Sequence, residues 1–387
     1  MLEREAMAIL VSAQGVHYAA REAALKAAGS AENVLADPFA YAHQLGAESV
    51  RAVARAVRGK DEILDRIYDL GVHLVARGEA GYPERLAQIP YAPHLLFVQG
   101  VADLNDALPV AVVGTRGASA YGLRHTRRIA KELAQAGACI VSGLALGIDA
   151  AAHEGALNAQ GRTVAVLGGA LDKFYPSENR ALRDRILSGG GSVISEYPMG
   201  ISPGRYTFLQ RNRIIAGMAM GVLVTDGPIR SGALKTATDA ADYGRDVFAL
   251  PGDVDAPGSA LPHKLIAEGA QLAVCGADIL AVIAPQLELE ISTVQMEKKQ
   301  SGRHEAQEAG HETRIQAQEP PQPLPIADDL PPPQRAVLEV LTGKEMEFDA
   351  LCEALSMDGS ELGVVLMELE MDGLIDALPG LRYARKA

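Results

Sequence analysis

At 387 residues, 48% of them hydrophobic, the chain is long enough for one substantial core plus one or two small modules, which excludes disorder as a description of the whole. Its formal charge is −13, and its three cysteines, Cys139, Cys275 and Cys352, lie far apart without CxxC spacing and read as buried thiols. No charged leader with an apolar h-region precedes a cleavage site and no apolar run reaches the roughly 18 residues of a bilayer span, so a cytoplasmic protein with no membrane partner is expected.

Residues 1–80 are Ala-rich with apolar positions at helical spacing, such as Ile63, Ile67 and Leu70, and show no strand alternation. They predict a small helical module. Residues 81–287 alternate short β-branched runs with helical patterns of roughly 10 to 15 residues, the pattern of an α/β, doubly wound, mostly parallel sheet. Strands are expected at Val110–Val113, Cys139–Val141, Val164–Leu167, Ser192–Ser195, Val222–Thr225 and Val247–Leu250. Residues 288–330 turn polar and then Pro-rich, a composition that buries no core and reads as a flexible linker.

Residues 331–387 are winged-helix-like: helical spacing over Val337–Leu341, Phe348–Leu355 and Leu362–Leu369, then the turn Asp372-Gly373 and a strand pair around Leu374–Ala377 and Leu381–Tyr383. The helix in the recognition position carries Glu361, Glu368 and Glu370 with no Lys or Arg, and the module holds 5 Lys and Arg against 11 Asp and Glu. Such a helix repels phosphates, so a protein-binding or accessory role is expected rather than duplex reading.

The middle of the chain has the opposite charge. Residues 107–215 hold 13 Lys and Arg against 7 Asp and Glu. After the strand at Val110–Val113, the turn Gly114-Thr115-Arg116-Gly117 lets backbone approach an anion while Arg116 supplies a planar charged fork. A second turn, Ser142-Gly143-Leu144-Ala145-Leu146-Gly147, opens onto a helix near Asp149, whose N–H groups and positive end suit another phosphate. The two turns predict one anion-binding rim at the strand C-termini.

In PGRYTFLQRNR, the cations Arg205, Arg211 and Arg213 surround Phe208, with Asn212 among them. That interleaving is what a single strand requires: bases stack on a ring while guanidinium groups follow the phosphates. Phe208 reads equally as a hydrophobic anchor for the following helix, and Asn212 and Arg213 as braces of the loop. Other signals are weaker. Asp149 and His153 lie one helical turn apart, but no further His or Cys stands at ligand spacing, so no metal is expected; Asp149 reads as a helix cap and His153 as hydrogen-bonded inside the fold. Arg124, Arg127, Arg128 and Lys131 form a basic helix face that reads as solvated. GTRGASAYG is not GxGxxG, and the next strand ends in Ser142-Gly143 instead of a ribose-binding acid, so no dinucleotide and no other cofactor is expected.

Eight ordered motifs resemble the DNA-processing protein A (DprA/Smf) family: GYPERLAQIPYAPHLLFVQG at Gly81–Gly100, AVVGTRGASAYG at Ala111–Gly122, VSGLALGIDAAAHEGAL at Val141–Leu157, TVAVLGGALDKFYPSEN at Thr163–Asn179, SEYPMG, FLQRNRIIAG, SGALKTA at Ser231–Ala237 and VFALPGD at Val247–Asp253. The resemblance implies an extended Rossmann-like domain that binds single-stranded DNA, self-associates as a homodimer, protects incoming DNA and helps load a RecA-type recombinase in natural transformation, without catalysis. It implies a DNA site at Thr115, Arg116, Ser142, Gly143, Arg205, Phe208, Arg211, Asn212, Arg213 and Lys235. It also implies a sterile-alpha-motif-like N-terminal module. The sequence departs from the family pattern at Leu209, where a proline is usual, at Ala170, where a glycine is usual, and at Ala260–Lys264. A dimer surface is expected after Gly221, on apolar stretches such as Ile279–Ile283.

The rival reading is a nucleotide phosphoribohydrolase-like enzyme on the same fold, which needs PGGxGTxxE. The corresponding TDGPIRSGALKTA has no Glu in place, and Lys235 adds positive charge where such an enzyme requires a carboxylate.

Overall fold

The computed structural model describes residues 2–286 and, beyond them, 331–342, 345–355, 357, 362, 365–366, 369, 374–378 and 382–385. The linker expected at 288–330, Glu361, Glu368, Glu370, the Asp372-Gly373 turn and Leu381 lie outside the described residues. The chain divides into two compact units, Met1–Gly302 and Arg303–Ala387.

The first unit opens with six helices, α1 (Glu3–Ser12), α2 (Tyr18–Ala28), α3 (Ala31–Ala36), α4 (Ala42–Leu45), α5 (Ala47–Arg58) and α6 (Lys60–Asp69). The unbroken apolar run Ala6–Val11 makes α1 the buried axis of this module, packed by α3, α5 and α6. Glu3 ties the axis to its neighbour by accepting the Ala31 and Glu32 N–H groups at the start of α3.

The helical reading of residues 1–80 fails at its end, where His73–Ala76 is a strand, β1. Gly71, at φ +62, ends the preceding helix. HLVA follows directly on the helical spacing of Ile63, Ile67 and Leu70, which carries the helical reading past Gly71. After β1 come α7 (Glu84–Ala87), β2 (Leu95–Gly100), β3 (Pro109–Val113), α8 (Ala120–Gln135), β4 (Cys139–Ser142), α9 (Ile148–Asn158), β5 (Thr163–Val166), α10 (Arg180–Ser188), β6 (Ser192–Ser195), α11 (Arg205–Met218), β7 (Gly221–Val224), α12 (Gly232–Asp242), β8 (Asp246–Ala249), α13 (Ala260–Ala267) and β9 (Gln271–Leu272). A last helix, α14, covers 276–286.

The nine strands form one sheet in the order β1-β2-β6-β5-β4-β3-β7-β8-β9. β3 to β9 pair in parallel, whereas β2 runs antiparallel to both β1 and β6. The six strands expected from sequence are the parallel core of a Rossmann-like sheet. Alternation along β3 divides its contacts: Val110 and Val112 pack with Ile129 and Leu133 of α8 and Ile148 of α9, while Ala111 and Val113 pack with Ile214 and Ile215 of α11. Ile279 and Ile283 of α14 are fully buried in the first of these layers, so they are core and not the uncovered surface expected of a dimer contact.

The departures from the family pattern have local consequences. A residue with an N–H at 209 permits α11 to begin at Arg205, where a proline would remove a bond from its second turn. Ala170 is fully buried and donates its N–H to Ile201 O. Pro262 falls in the first turn of α13, where no helical N–H bond is lost.

The second unit contains α15 (Pro332–Val340), β10 (Glu345–Glu347), α16 (Phe348–Leu355), β11 (Ile375–Leu378) and β12 (Arg382–Arg385). Its strands form an antiparallel sheet in the order β10-β12-β11. Val337, Leu341, Leu351, Leu362, Leu366 and Leu369 are buried in one core, the helical spacing read from the sequence.

Candidate nucleic-acid interface

β3 is flanked by β4 on one side and β7 on the other, so the connections leave in opposite directions and open a crevice at the strand C-termini. The two turns expected to form a rim meet there, backbone against backbone. Thr115 donates its N–H to Asp226 O at 2.8 Å, and its carbonyl accepts the Ile148 N–H at 3.2 Å. Gly147, at φ +78, lies so close to the Thr115 and Arg116 carbonyls that a Cβ there would collide with both. The far end of the first turn is held by Asp226, whose carboxylate accepts the Ser119 N–H at 3.0 Å and the Ser119 hydroxyl.

This packing removes four N–H groups from the backbone cradle expected of the two turns. The N–H groups of Thr115, Gly117, Ala145 and Ile148 all donate inside the protein. At these four positions the rim has no free N–H to offer an anion, and its positive charge comes from side chains.

A cleft of about 1000 Å³ lies over the crevice, lined by Thr115, Arg116, Arg205, Phe208, Arg211, Asn212 and Lys235 among the residues expected from sequence. Arg116 and Arg205 are exposed, and Arg116 places its guanidinium 4.7 Å from the Phe208 ring centroid. Phe208 is half-buried, seated on Gly168, where a Cβ would lie 2.6 Å from the ring, with Tyr175 6.1 Å away. Lys235 is half-exposed and paired with Asp239 one turn along α12. Asn212 braces the cleft by donating to Gly232 O at 3.2 Å.

Three expected contacts are corrected. The Ser142 hydroxyl is fully buried and donates to Val112 O at 2.7 Å, inside the sheet. Gly143 is buried beneath the Arg211 guanidinium, and its carbonyl accepts from Arg211 at 2.8 Å. Arg213 points away from the cleft into a 2.5 Å ion pair with Glu196, both side chains largely buried. Arg211 touches the cleft but is only 4% exposed; its Nη1 also donates to Val166 O. Burial pushes Arg211 down to about 10, with the neighbouring Asp149 working against that fall. Arg211 is thus a strut that fixes the second turn.

Arg230 was missed. It is exposed in the loop after β7 and lines the same cleft. The signal is present, since this loop follows a strand flanking the crevice and TDGPIRSGALKTA carries Arg230 as well as Lys235. Among the described residues, no carboxylate lies within ion-pair distance of Arg116, Arg205 or Arg230.

No group of three metal-ligating side chains occurs among the described residues. Asp149 does not cap its own helix; its carboxylate accepts the Ala145 N–H at 3.4 Å, and burial raises its pKa, with Arg211 opposing. His153 is fully buried, its Nδ1 bonded to Thr163 Oγ1 at 2.7 Å, and burial pushes it down to about 3. His94, beside Glu22, is pushed down to about 4 by burial. An unfolded histidine takes its proton near pH 6.5, so each buried neutral histidine removes stability as pH falls from about 7 towards 5, by about 1 to 2 kcal/mol. Buried Asp149 and Glu196, with raised pKa values, work in the other direction. The readout is therefore a difference: His153→Gln should lose less stability in urea denaturation between pH 7 and pH 5 than the wild type, and parallel losses would refute the assignment.

The family described as DNA recombination-mediator protein A matches residues 73–284, the sheet and all the cleft residues. The chain belongs to this family. The DprA winged helix domain family matches residues 318–380. Protein Smf of Escherichia coli K12 is 36% identical over 80% of this chain and 76% of its own length. DNA processing protein DprA of Streptococcus pneumoniae R6 is 46% identical over 52% of this chain and 70% of its own. The X-ray structure of DprA from Streptococcus pneumoniae superposes with a TM-score of 0.64 at 36% identity, covering 73% of this chain and 98% of that one. Among the described residues of this family member, no helix is long and apolar enough to cross a membrane.

Proposed function

We propose that this family member binds single-stranded DNA in the cleft over β3, without catalysis. The observation that carries the reading is the placing of Arg116, Arg205 and Arg230, exposed and without acidic partners among the described residues, around the half-buried Phe208 ring. Guanidinium groups bind phosphates as bidentate forks, and a ring among them offers a face to an unpaired base. A duplex keeps its base faces stacked inside, so it would meet the cations but not the ring. In the structure Arg116 lies on Phe208, and an arriving phosphate and base would exchange that contact for two others.

The non-enzymatic part of the reading is supported by the carboxylates. Asp149 is the one acid among the described residues lining the cleft, and it is buried and accepts a backbone N–H. It is not placed as a free general base for the rival phosphoribohydrolase chemistry. The relatives' names supply the DNA-processing context; protection of incoming DNA, loading of a RecA-type recombinase, natural transformation, a homodimer and a cytoplasmic site of action are proposed for this chain on family membership.

Phe208→Ala tests the stacking component. Anisotropy with a single-stranded oligonucleotide should show a loss of roughly 1 to 3 kcal/mol at every salt concentration, with the salt slope unchanged, because stacking releases no counterions. Undiminished affinity would make Phe208 only the hydrophobic anchor of α11.

A further inference from the structure

We infer that the DNA path does not end at the cleft but continues over the start of α8, where Tyr121 and Arg124 form a second stacking and phosphate station; this rests on the cleft binding single-stranded DNA. Tyr121 is 38% exposed, one residue inside α8 and beside the cationic rim. Its hydroxyl donates to Pro251 O at 2.7 Å, which fixes the ring, and His125 packs against it with centroids 4.3 Å apart. A ring held in this way offers a platform at little entropic cost.

The charges around it are graded. Arg127 is engaged by Glu154, and Arg128 by Glu132 and Val274 O. Arg124 has no carboxylate within ion-pair distance among the described residues, and its guanidinium lies 5.9 Å from the Tyr121 ring centroid, the same arginine-and-ring pairing as Arg116 and Phe208. Asp253 and Asp255 are exposed beyond Pro251 and would turn a phosphate chain away from that side. The strand is thereby directed along α8, not across the β8 loop.

Continuity with the cleft is covalent and rigid. Tyr121 follows Arg116 by five positions, a span of at most about 18 Å, or a few nucleotides. Asp226 clamps this stretch through Ser119, and the loop it begins carries Arg230 into the cleft. Both stations are therefore mounted on one fixed segment.

The test compares a short single-stranded oligonucleotide of about six nucleotides, which fills the cleft alone, with one of about twenty, which reaches past it, on the full-length protein. Tyr121→Ala and Arg124→Ala should bind the short strand as the wild type does and the long strand at least about fivefold more weakly. Tyr121→Phe, which keeps the ring but loses its bond to Pro251 O, should bind the short strand as the wild type does and lose less on the long strand than Tyr121→Ala. Wild-type affinity for the long strand in both variants would overturn the proposal. Equal losses at both lengths would also overturn it, placing Tyr121 among the supports of the Arg116 turn. If Arg116→Ala binds the short strand normally, the cleft reading itself fails instead.

Discussion

Arg211→Ala should lower the stability of the first unit by about 3 to 5 kcal/mol, read as a fall in the urea midpoint by circular dichroism. The guanidinium donates to the carbonyls of Gly143 and Val166, which belong to the turn after β4 and to β5. Removing it strands two buried acceptors and leaves Asp149 without its opposing charge in a desolvated site. It also opens a cavity that Gly143, lacking a side chain, does not fill. Arg211→Lys should recover only part of the loss, since one ammonium does not reproduce the fork. By contrast, Arg205→Ala, at an exposed position of the same helix, should change stability by less than about 0.5 kcal/mol. Equal effects at the two positions would show that Arg211 is not the strut described.

Arg116→Ala should weaken binding of a single-stranded oligonucleotide by more than about tenfold while leaving the urea midpoint in place. The side chain is exposed, and the turn carrying it is held by backbone bonds from Thr115 and by Asp226 through Ser119, none of which the substitution touches. Loss of a charge-assisted phosphate contact costs on the order of 1.5 to 3 kcal/mol, which sets the expected factor. The change also uncovers Phe208, so a small gain in stacking offsets part of the loss. Arg116→Lys should restore binding in part. Wild-type affinity in a folded Arg116→Ala protein would remove Arg116 from the site.

The parallel strands were legible because each is a short apolar run between Gly-rich turns, and β3 to β8 followed that pattern. β1 and β2 were not: HLVA follows directly on the helical spacing that ends at Leu70, and LLFVQG lies inside the longer motif GYPERLAQIPYAPHLLFVQG. The site was legible as a cluster of residues but not as a division of labour. Arginine has the same letter whether it faces solvent at 205 and 116 or lies buried at 211 and paired at 213, and only packing against Gly143, Val166 and Glu196 separates those roles. The same holds for the turn backbone. A glycine-rich turn at a strand end announces free N–H groups, yet here Asp226, the facing turn and Asp149 take those of Thr115, Ile148 and Ala145, a tertiary arrangement that no local pattern encodes.

The most direct test is the affinity of the full-length protein for a single-stranded oligonucleotide and its duplex across a salt series. Phosphate neutralisation by Arg116, Arg205, Arg230 and Lys235 should make log K fall linearly with log salt, with a slope near −0.7 per neutralised phosphate for the single strand, about −2 to −3 in all. Binding should favour the single strand at every salt, because only an unpaired base reaches Phe208. Salt-insensitive binding, or a duplex bound as tightly as the single strand, would contradict the account.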